Sequence, residues 1–514
     1  MGSIDAENMR PMMGTGSEPK LPLNRGHLRA SESKDLLDPH ICWQAIKSRD
    51  PRFDGKFFAG ATTTGLYCRN VCPVPSARPK NILLFACAAA AESAGFRPCK
   101  RCQPQAAPGT PAWLGTSAVV SRAFRLILAG ALNDGGVDEL AGRLGLGSRQ
   151  LRRLFVQHLG ASPLKIATTH RVHLARKLIE ESGIPMTQIA FGAGFKSIRE
   201  FNHAIQLSAG QSPSELRRAA DGARPKARPG GIELRLPYRQ PFDWASLIAF
   251  LKGRAIPGVE LVTENSYQRT IEVGGVPGVL TVRQDRSRSR LDVDLQADSY
   301  EGLAQTVERV RRIFDLSADP IQIASHLSTD TILGGLIKLH PGLRVPGAWD
   351  GFEVAVLAVL GQKLTTNGPK RLVGRFVQMF GTPVDTPVRG LKFLFPRPEV
   401  LAHADLSKAG ISDGGARTIR KLASSSMRKR LSCAISRTLE QAVSELKEIC
   451  GIDESMANYI AMRAFGEPDA FPFEESGLRR RLAEGRPIVS TAQATVLAER
   501  WRPWRAYAAM QLAK

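Results

Sequence analysis

Two closely spaced cysteine pairs limit what this chain can fold into more than any other feature. Cys68 and Cys72 are separated by three residues, and 26 residues later come Cys99 and Cys102, separated by two. Pairs at this spacing form the two knuckles of a four-thiolate zinc site. The residues around them are cationic: Arg69 follows Cys68 at once, and Lys100 and Arg101 stand between Cys99 and Cys102. A metal-bound thiolate is held deprotonated at neutral pH and is therefore nucleophilic. Judged by its residues alone, such a site can hold a loop together, bind DNA or attack an electrophile.

Charge narrows the partners. Lysine and arginine number 71 against 48 acidic residues, a formal charge of +23. An excess of that size points to a polyanion, nucleic acid before others, with solubility alone as the bland alternative. The 514 residues allow three or four domains, and the 43% apolar fraction is that of a globular protein. No run of about 18 apolar residues suggests a membrane span. Residues 1–37 are polar and lack an apolar signal segment, so a disordered tail on a cytoplasmic protein is expected. In that compartment paired cysteines favour metal over disulfides. The other four, Cys42, Cys87, Cys433 and Cys450, are expected to be core residues.

Two segments rich in Pro, Gly, Ala and basic residues, 103–109 and 221–231, read as linkers. The first piece mixes short strands (Phe57 to Ala59) with helix (Ala86 to Ser93) and has too few apolar residues to stand without a metal. The middle piece carries two helix-turn-helix patterns, Val137 to Phe155 and Met186 to His203, joined by a helix over about 163–181. In the first, Ser148 is the expected N-cap and Leu151, Leu154 and Phe155 share one face. Arg149, Gln150, Arg152 and Arg153 lie on the other sides, where a recognition helix meets the major groove. In the second, Ser197 caps, Ile198, Phe201 and Ile205 pack, and Arg199, Asn202 and His203 are the DNA-facing candidates. The last piece opens with alternating strands at 232–236, 266–272, 279–284 and 291–295 and is read as all helix from Ile321.

The residues also carry family resemblances. The runs DPHICWQAIKSRDPRFDGKFF, TTGLYCR and GFRPCKRCQP resemble the N-terminal domain of the bacterial Ada adaptive-response protein over about 65 residues, all four cysteines included. That resemblance implies one zinc ion held by Cys68, Cys72, Cys99 and Cys102, with Cys68 also accepting a methyl group from a DNA methyl phosphotriester. Zinc with four thiolates carries −2; methylating Cys68 leaves −1. Removing one unit of repulsion against a phosphate about 5 Å away is worth on the order of 1–3 kcal/mol, so alkylation would tighten DNA binding. Thr64, Arg69, Arg97, Lys100 and Arg101 are the candidates for holding that phosphate. The middle piece, with its ending GQSPSELRR, resembles the AraC-type DNA-binding domain, which implies promoter DNA and RNA polymerase as partners. The chain is expected to act as a monomer. The Pro-Cys-His-Arg motif with which the Ada family repairs alkylated guanine is absent, so that repair is not expected here.

The last 280 or so residues resemble the AlkA-type 3-methyladenine DNA glycosylase, in GLRVPGAWDGFEVAVLAVLGQKLT, LKEICGIDESMANYIAMRAFGEPDAF and AERWRPWRAYA. This implies a helix-hairpin-helix that grips the backbone, a flipped base and hydrolysis of its glycosidic bond. The site departs from the family pattern. The hairpin Pro-Gly-hydrophobic-Gly reads Cys450-Gly451-Ile452-Asp453, which puts a Cβ and a negative charge where a free backbone would meet phosphate. The catalytic Asp falls on Glu475, Tyr459 persists in the base pocket, and Ser455 and Ala513 replace tryptophans. Excision of alkylated bases and a silent, DNA-binding domain both remain open on these residues.

The expected architecture is thus multidomain. A tail (1–37) is followed by a small zinc-bound α/β domain (38–104) and an all-α AraC-type double helix-turn-helix (112–219). Beyond a linker (220–231) come an α+β subdomain (232–316) and an all-α helix-hairpin-helix glycosylase fold (317–514). The expected activity is DNA repair coupled to transcription activation. The rivals are a zinc-dependent regulator whose cysteine never accepts a methyl, and a base-excision enzyme whose front end only targets DNA.

Overall fold

The computed structural model describes residues 29–30, 37–102, 104, 118–220, 231–361, 368–428, 438–473 and 491–514. The first part is a five-stranded sheet in the order β1-β4-β2-β3-β5, with β1 Arg29–Ala30, β2 Phe58–Ala61, β3 Leu66–Cys68, β4 Ile82–Phe85 and β5 Arg97–Pro98. Helix α1 (Pro39–Ser48) starts where Asp38 accepts the amides of His40 and Ile41 at 2.8 and 3.2 Å. Helix α2 (Ala88–Ser93) buries a run of four alanines, Ala88 to Ala91. Gly60 is required at the centre of β2, because a Cβ there would stand 2.8 Å from the Phe85 ring. The sheet corrects one expectation: Arg29–Ala30, inside the tail read as disordered, pairs in parallel with Leu83 and Leu84 of β4. The rest of 1–36 and both linker segments, apart from single flanking residues, lie outside the described residues.

Among the described residues eight helices follow: α3 (Ala118–Leu128), α4 (Ala131–Asp134), α5 (Val137–Arg143), α6 (Ser148–Leu159), α7 (Pro163–Glu181), α8 (Met186–Gly192), α9 (Ile198–Ala209) and α10 (Pro213–Ala220). The joining helix α7 has the bounds read from the sequence. Ser162 caps it by accepting the Lys165 amide at 3.3 Å, and Pro163 occupies its first turn. The first recognition helix differs by one position. Gly147, in extended conformation, is its N-cap, and Ser148 is already helical with no capping bond. Ser197 caps α9 as expected, accepting the Glu200 amide at 3.1 Å.

The α+β unit is an antiparallel sheet in the order β6-β10-β9-β8-β7, formed by β6 (Gly231–Pro237), β7 (Glu260–Val262), β8 (Ser266–Val273), β9 (Val276–Asp285) and β10 (Arg290–Ala297). Strand β10 alternates, burying Leu291, Val293, Leu295 and Ala297 beneath α11 (Trp244–Gly253) and α12 (Leu303–Ile313). The last part is mainly helical: α13 (Pro320–Leu327), α14 (Leu333–Leu339), α15 (Gly351–Gly361), α16 (Gly368–Phe380), α17 (Pro398–Leu401), α18 (Asp413–Met427), α19 (Leu439–Cys450), α20 (Glu454–Phe465), α21 (Thr491–Ala498) and α22 (Arg505–Leu512). The expectation of helix throughout is corrected by two short antiparallel strands, β11 (Thr382–Pro383) and β12 (Phe393–Leu394). They form because β12 abuts the sheet, where Thr270 donates its hydroxyl to the Phe393 carbonyl at 2.6 Å.

Hydrophobic cores cross the sequence boundaries. One packs Phe58, Tyr67 and Phe85 of the zinc domain with Phe124 of α3 and with Leu151 and Phe155 of the first helix-turn-helix. Another packs Val172 of the joining helix α7 and Phe201 and Ile205 of α9 with Leu234, Val293 and Leu303 of the α+β unit. A third fills the helical part. The α+β sheet meets the helical part through a buried ion pair: Arg269 on β8 donates to both oxygens of Glu353 on α15, at 2.8 and 3.3 Å. Burial pushes the Glu353 carboxyl up although Arg269 opposes it. Replacing Arg269 by Met strands that carboxylate and is expected to destabilise this half by about 3–5 kcal/mol. Denaturant unfolding of the single variant and of Arg269→Met with Glu353→Leu measures this, and the double replacement should recover most of the loss.

Candidate metal centre and nucleic-acid interfaces

Strand pairing assembles the cysteines. β3 and β5 run parallel, and the Cys99 amide donates to the Tyr67 carbonyl at 3.0 Å, so Cys68 and Cys99 arrive side by side. A turn in which the Cys72 amide donates to the Arg69 carbonyl at 3.2 Å brings Cys72 back. All four sulfurs lie within 4.8 Å of one another. A tetrahedral zinc with Zn–S near 2.3 Å sets sulfurs about 3.8 Å apart, so the quartet fits that ion. Without a cation the thiols compete for protons. Cys68 is pushed up, first by its hydrogen bond to Cys102, whereas Cys102 falls to about 6 as the acceptor of that bond. A divalent cation removes the conflict.

The four are not equivalent. Cys72, Cys99 and Cys102 are buried, while Cys68 is half-buried. The Arg69 amide donates to the Cys102 sulfur at 3.5 Å. Hydrogen bonding drains charge from a thiolate, which leaves Cys68 as the more accessible sulfur without such a bond among those observed in the described residues. Beside it, Arg69 is turned inward: its Nε donates to Asp54 at 2.8 Å and its Nη1 to the Cys102 carbonyl at 3.3 Å. Arg69 therefore answers a buried aspartate rather than standing free for a phosphate. Thr64, Arg97, Lys100 and Arg101 are exposed. Lys100 donates to Gln211 at 2.9 Å, which places the second knuckle at the C-terminal end of α9.

On the helix-turn-helix units, Leu151, Phe155, Phe201 and Ile205 are fully buried, and Leu154 and Ile198 pack at the edges. Arg149, Gln150, Arg152 and Arg153 on α6, and Arg199, Asn202 and His203 on α9, are all exposed. Two helices thus each present a polar, mostly cationic face beyond an apolar one.

In the last part, α19 and α20 form a hairpin around Cys450 to Asp453. Gly451 sits at φ 62°, the left-handed region in which glycine is favoured. Asp453 is at φ −72°, so the Cβ it adds meets no backbone conflict. It is the N-cap of α20 and accepts the Met456 amide at 2.7 Å. Its negative charge stays where expected, at the helix start. A cavity of about 500 Å³ opens between this hairpin and the α+β unit, lined among others by Arg254, Trp349, Glu353, Ser455, Tyr459 and Arg463. Arg463 fixes the Tyr459 ring by donating to its hydroxyl at 2.7 Å while holding the Gly347 carbonyl at 2.9 Å. Ser455 is on this wall, but Ala513 is exposed at the end of α22 and off the lining, so only one of the two missing tryptophan positions bears on the cavity. Glu475 lies outside the described residues, as does Cys433. Sequence reasoning missed Trp349, Glu353 and Arg254, which come from segments about 100 residues apart with no shared motif. It also missed Asp54; the adjacent Gly55 turn was the available signal.

Comparison with known proteins places these parts. Residues 41–105 match the metal binding domain of Ada, 140–219 a helix-turn-helix domain and 233–350 the AlkA N-terminal domain. A Mycobacterium tuberculosis protein named "Probable bifunctional transcriptional activator/DNA repair enzyme AlkA" is 39% identical over 476 residues, 92% of this chain and 95% of the relative. DNA-3-methyladenine glycosylase 2 of Escherichia coli is 33% identical over 280 residues, 54% of this chain and 95% of its own. The E. coli bifunctional transcriptional activator/DNA repair enzyme Ada is 29% identical over 179 residues, 35% of this chain and 49% of its own. One zinc per chain is expected by atomic emission, and Cys99→Ala should reduce it to a small fraction of an equivalent.

Proposed function

This chain belongs to the family of bifunctional transcriptional activator/DNA repair enzymes of the AlkA type, and from that premise we propose that it repairs alkylated DNA while reporting the damage to its own promoters. The N-terminal site takes a methyl group from a DNA methyl phosphotriester onto Cys68, once and irreversibly. The sulfur attacks the methyl carbon; the S–C bond forms as the C–O bond breaks, and the phosphodiester leaves as an anion, so no proton is transferred. Bound zinc supplies the means of keeping the four sulfurs deprotonated at neutral pH. The observation that carries this reading is the quartet itself, in which Cys68 is half-buried and the other three are buried. The exposed faces of α6 and α9 then bind DNA, with Arg149, Gln150, Arg152, Arg153, Arg199, Asn202 and His203 as the contacting side chains.

The cavity beside the hairpin supports base excision in the C-terminal half. It is large enough for a flipped base, with Tyr459 and Trp349 offering aromatic surface; the carboxylate for the oxocarbenium ion or water is assigned to Glu475 on the family resemblance. A second reading keeps DNA binding without excision. It is favoured by Asp453, whose carboxylate occupies the helix start that would otherwise attract a phosphate. One preparation tests both halves. Methyl label from alkylated DNA should pass to wild type and not to Cys68→Ala, and an unlabelled wild type would exclude the acceptor role. Wild type should also release 3-methyladenine at least about a hundredfold faster than Glu475→Gln; equal release by the two would exclude catalysis by Glu475, and no release by wild type would favour the silent domain.

A further inference from the structure

The loop that carries the acceptor rests on a segment that the glycosylase half holds. Residues 69–73 lie against 45–54 through three side chains. Arg69 pairs with Asp54, Asn70 donates to the Asp50 carbonyl at 2.7 Å, and Arg49 donates to the Pro73 carbonyl at 3.1 Å. Asp54 is itself 5% exposed, so its pairing with Arg69 is enclosed. The other side of this segment faces the C-terminal half. Arg239, between β6 and α11 and 3% exposed, donates to the Asp54 carbonyl at 3.1 Å. Lys56, two residues on, forms an ion pair with Asp319, whose side chain is 3% exposed. Asp319 caps α13, accepting the Gln322 amide at 3.2 Å. Arg344, 1% exposed, ties the anchors together, donating to the carbonyls of Arg239 at 2.6 Å and Ala318 at 3.3 Å.

From Asp319 and Arg239 a run of largely buried polar contacts thus reaches Arg69, the residue after Cys68, through Asp54, with Lys56 joined to Asp54 along the backbone. We propose that Lys56, Asp319, Arg239 and Asp54 are positioning residues for methyl uptake, through which the glycosylase half fixes Arg69 and the approach to the Cys68 sulfur. The inference rests on Cys68 being the acceptor. Its physical basis is that Arg69 is anchored at both ends: the backbone amide at the Cys102 sulfur and the guanidinium at Asp54. The backbone following Cys68 is therefore set by where Asp54 stands. A nucleophile must meet the methyl carbon in line with the leaving oxygen, and small misplacements are expensive in rate. The seam also explains why a cationic Lys56 and an anionic Asp319 are worth burying at a boundary between two functional units.

The test uses the full chain with Asp319→Asn, Lys56→Met and both together. Asparagine still caps a helix, so the first variant removes the charge and keeps α13. Four quantities are read: zinc content, the amplitude of methyl label on Cys68 at saturating DNA, its single-turnover rate constant, and 3-methyladenine release. The expected result is a rate constant about tenfold lower in each single variant, with full amplitude and one zinc. The double variant should be no slower than the worse single one, because the pair acts as a unit. Wild-type rate constants in both single variants would overturn the proposal. So would a fall in amplitude and zinc that accounts for the whole loss, since the pair would then only hold the fold. An unlabelled wild type would overturn the acceptor reading together with this one, which separates the two failures.

Discussion

Four sulfurs within 4.8 Å of one another cannot all be charged unless a cation lies among them. That electrostatic constraint organises the front of the molecule. The parallel pairing of β3 with β5 and the turn from Arg69 to Cys72 have as their common result the convergence of four ligands. With that cation bound the four thiolates would carry a net charge of −2, and one sulfur, that of Cys68, is half-buried where the other three are buried. Neutralising that sulfur by methylation would take the charge of the whole assembly from −2 to −1, halving it without any need for a large movement.

The neighbours of Cys68 connect it to the rest of the chain in two directions. Arg69 faces Asp54 and, beyond it, the anchors of the glycosylase half. Tyr67, on the opposite side of β3, points into the core shared with the first helix-turn-helix, and its hydroxyl meets Glu92 at 3.0 Å and His173 of α7 at 3.1 Å. Burial alone would raise the Glu92 carboxyl, yet hydrogen bonds from His173 and Thr169 outweigh it and hold it below the usual range. A charged Glu92 therefore sits between the strand that ends in Cys68 and the helix that joins both helix-turn-helix units. Cores that run across sequence boundaries make these contacts rigid rather than incidental.

Much of this was legible in the residues because local signals agreed. Pro163 after Ser162 marked the start of α7, and alternation marked the strands that became β6, β8, β9 and β10. Spacing alone located the quartet. Where local signals competed, the sequence misled. Ser148 looks like a cap, but Gly147 takes the extended conformation before it. Asp453 looks like a Cβ and a charge set where a free backbone would meet phosphate, yet at φ −72° it is an ordinary N-cap. The cavity walls and the Lys56–Asp319 seam had no local signature at all, because each joins residues that only tertiary packing brings together.

The central claim is that Cys68 is an electrostatic switch, and affinity for duplex DNA at one fixed salt concentration tests it most directly. The dissociation constant is measured for the zinc-loaded chain before and after methylation of Cys68, with the methyl count verified by mass. The account predicts tighter binding after methylation by about 5- to 150-fold, the equivalent of the 1–3 kcal/mol expected from removing one negative charge near a phosphate. A dissociation constant that stays the same or rises on methylation would contradict it.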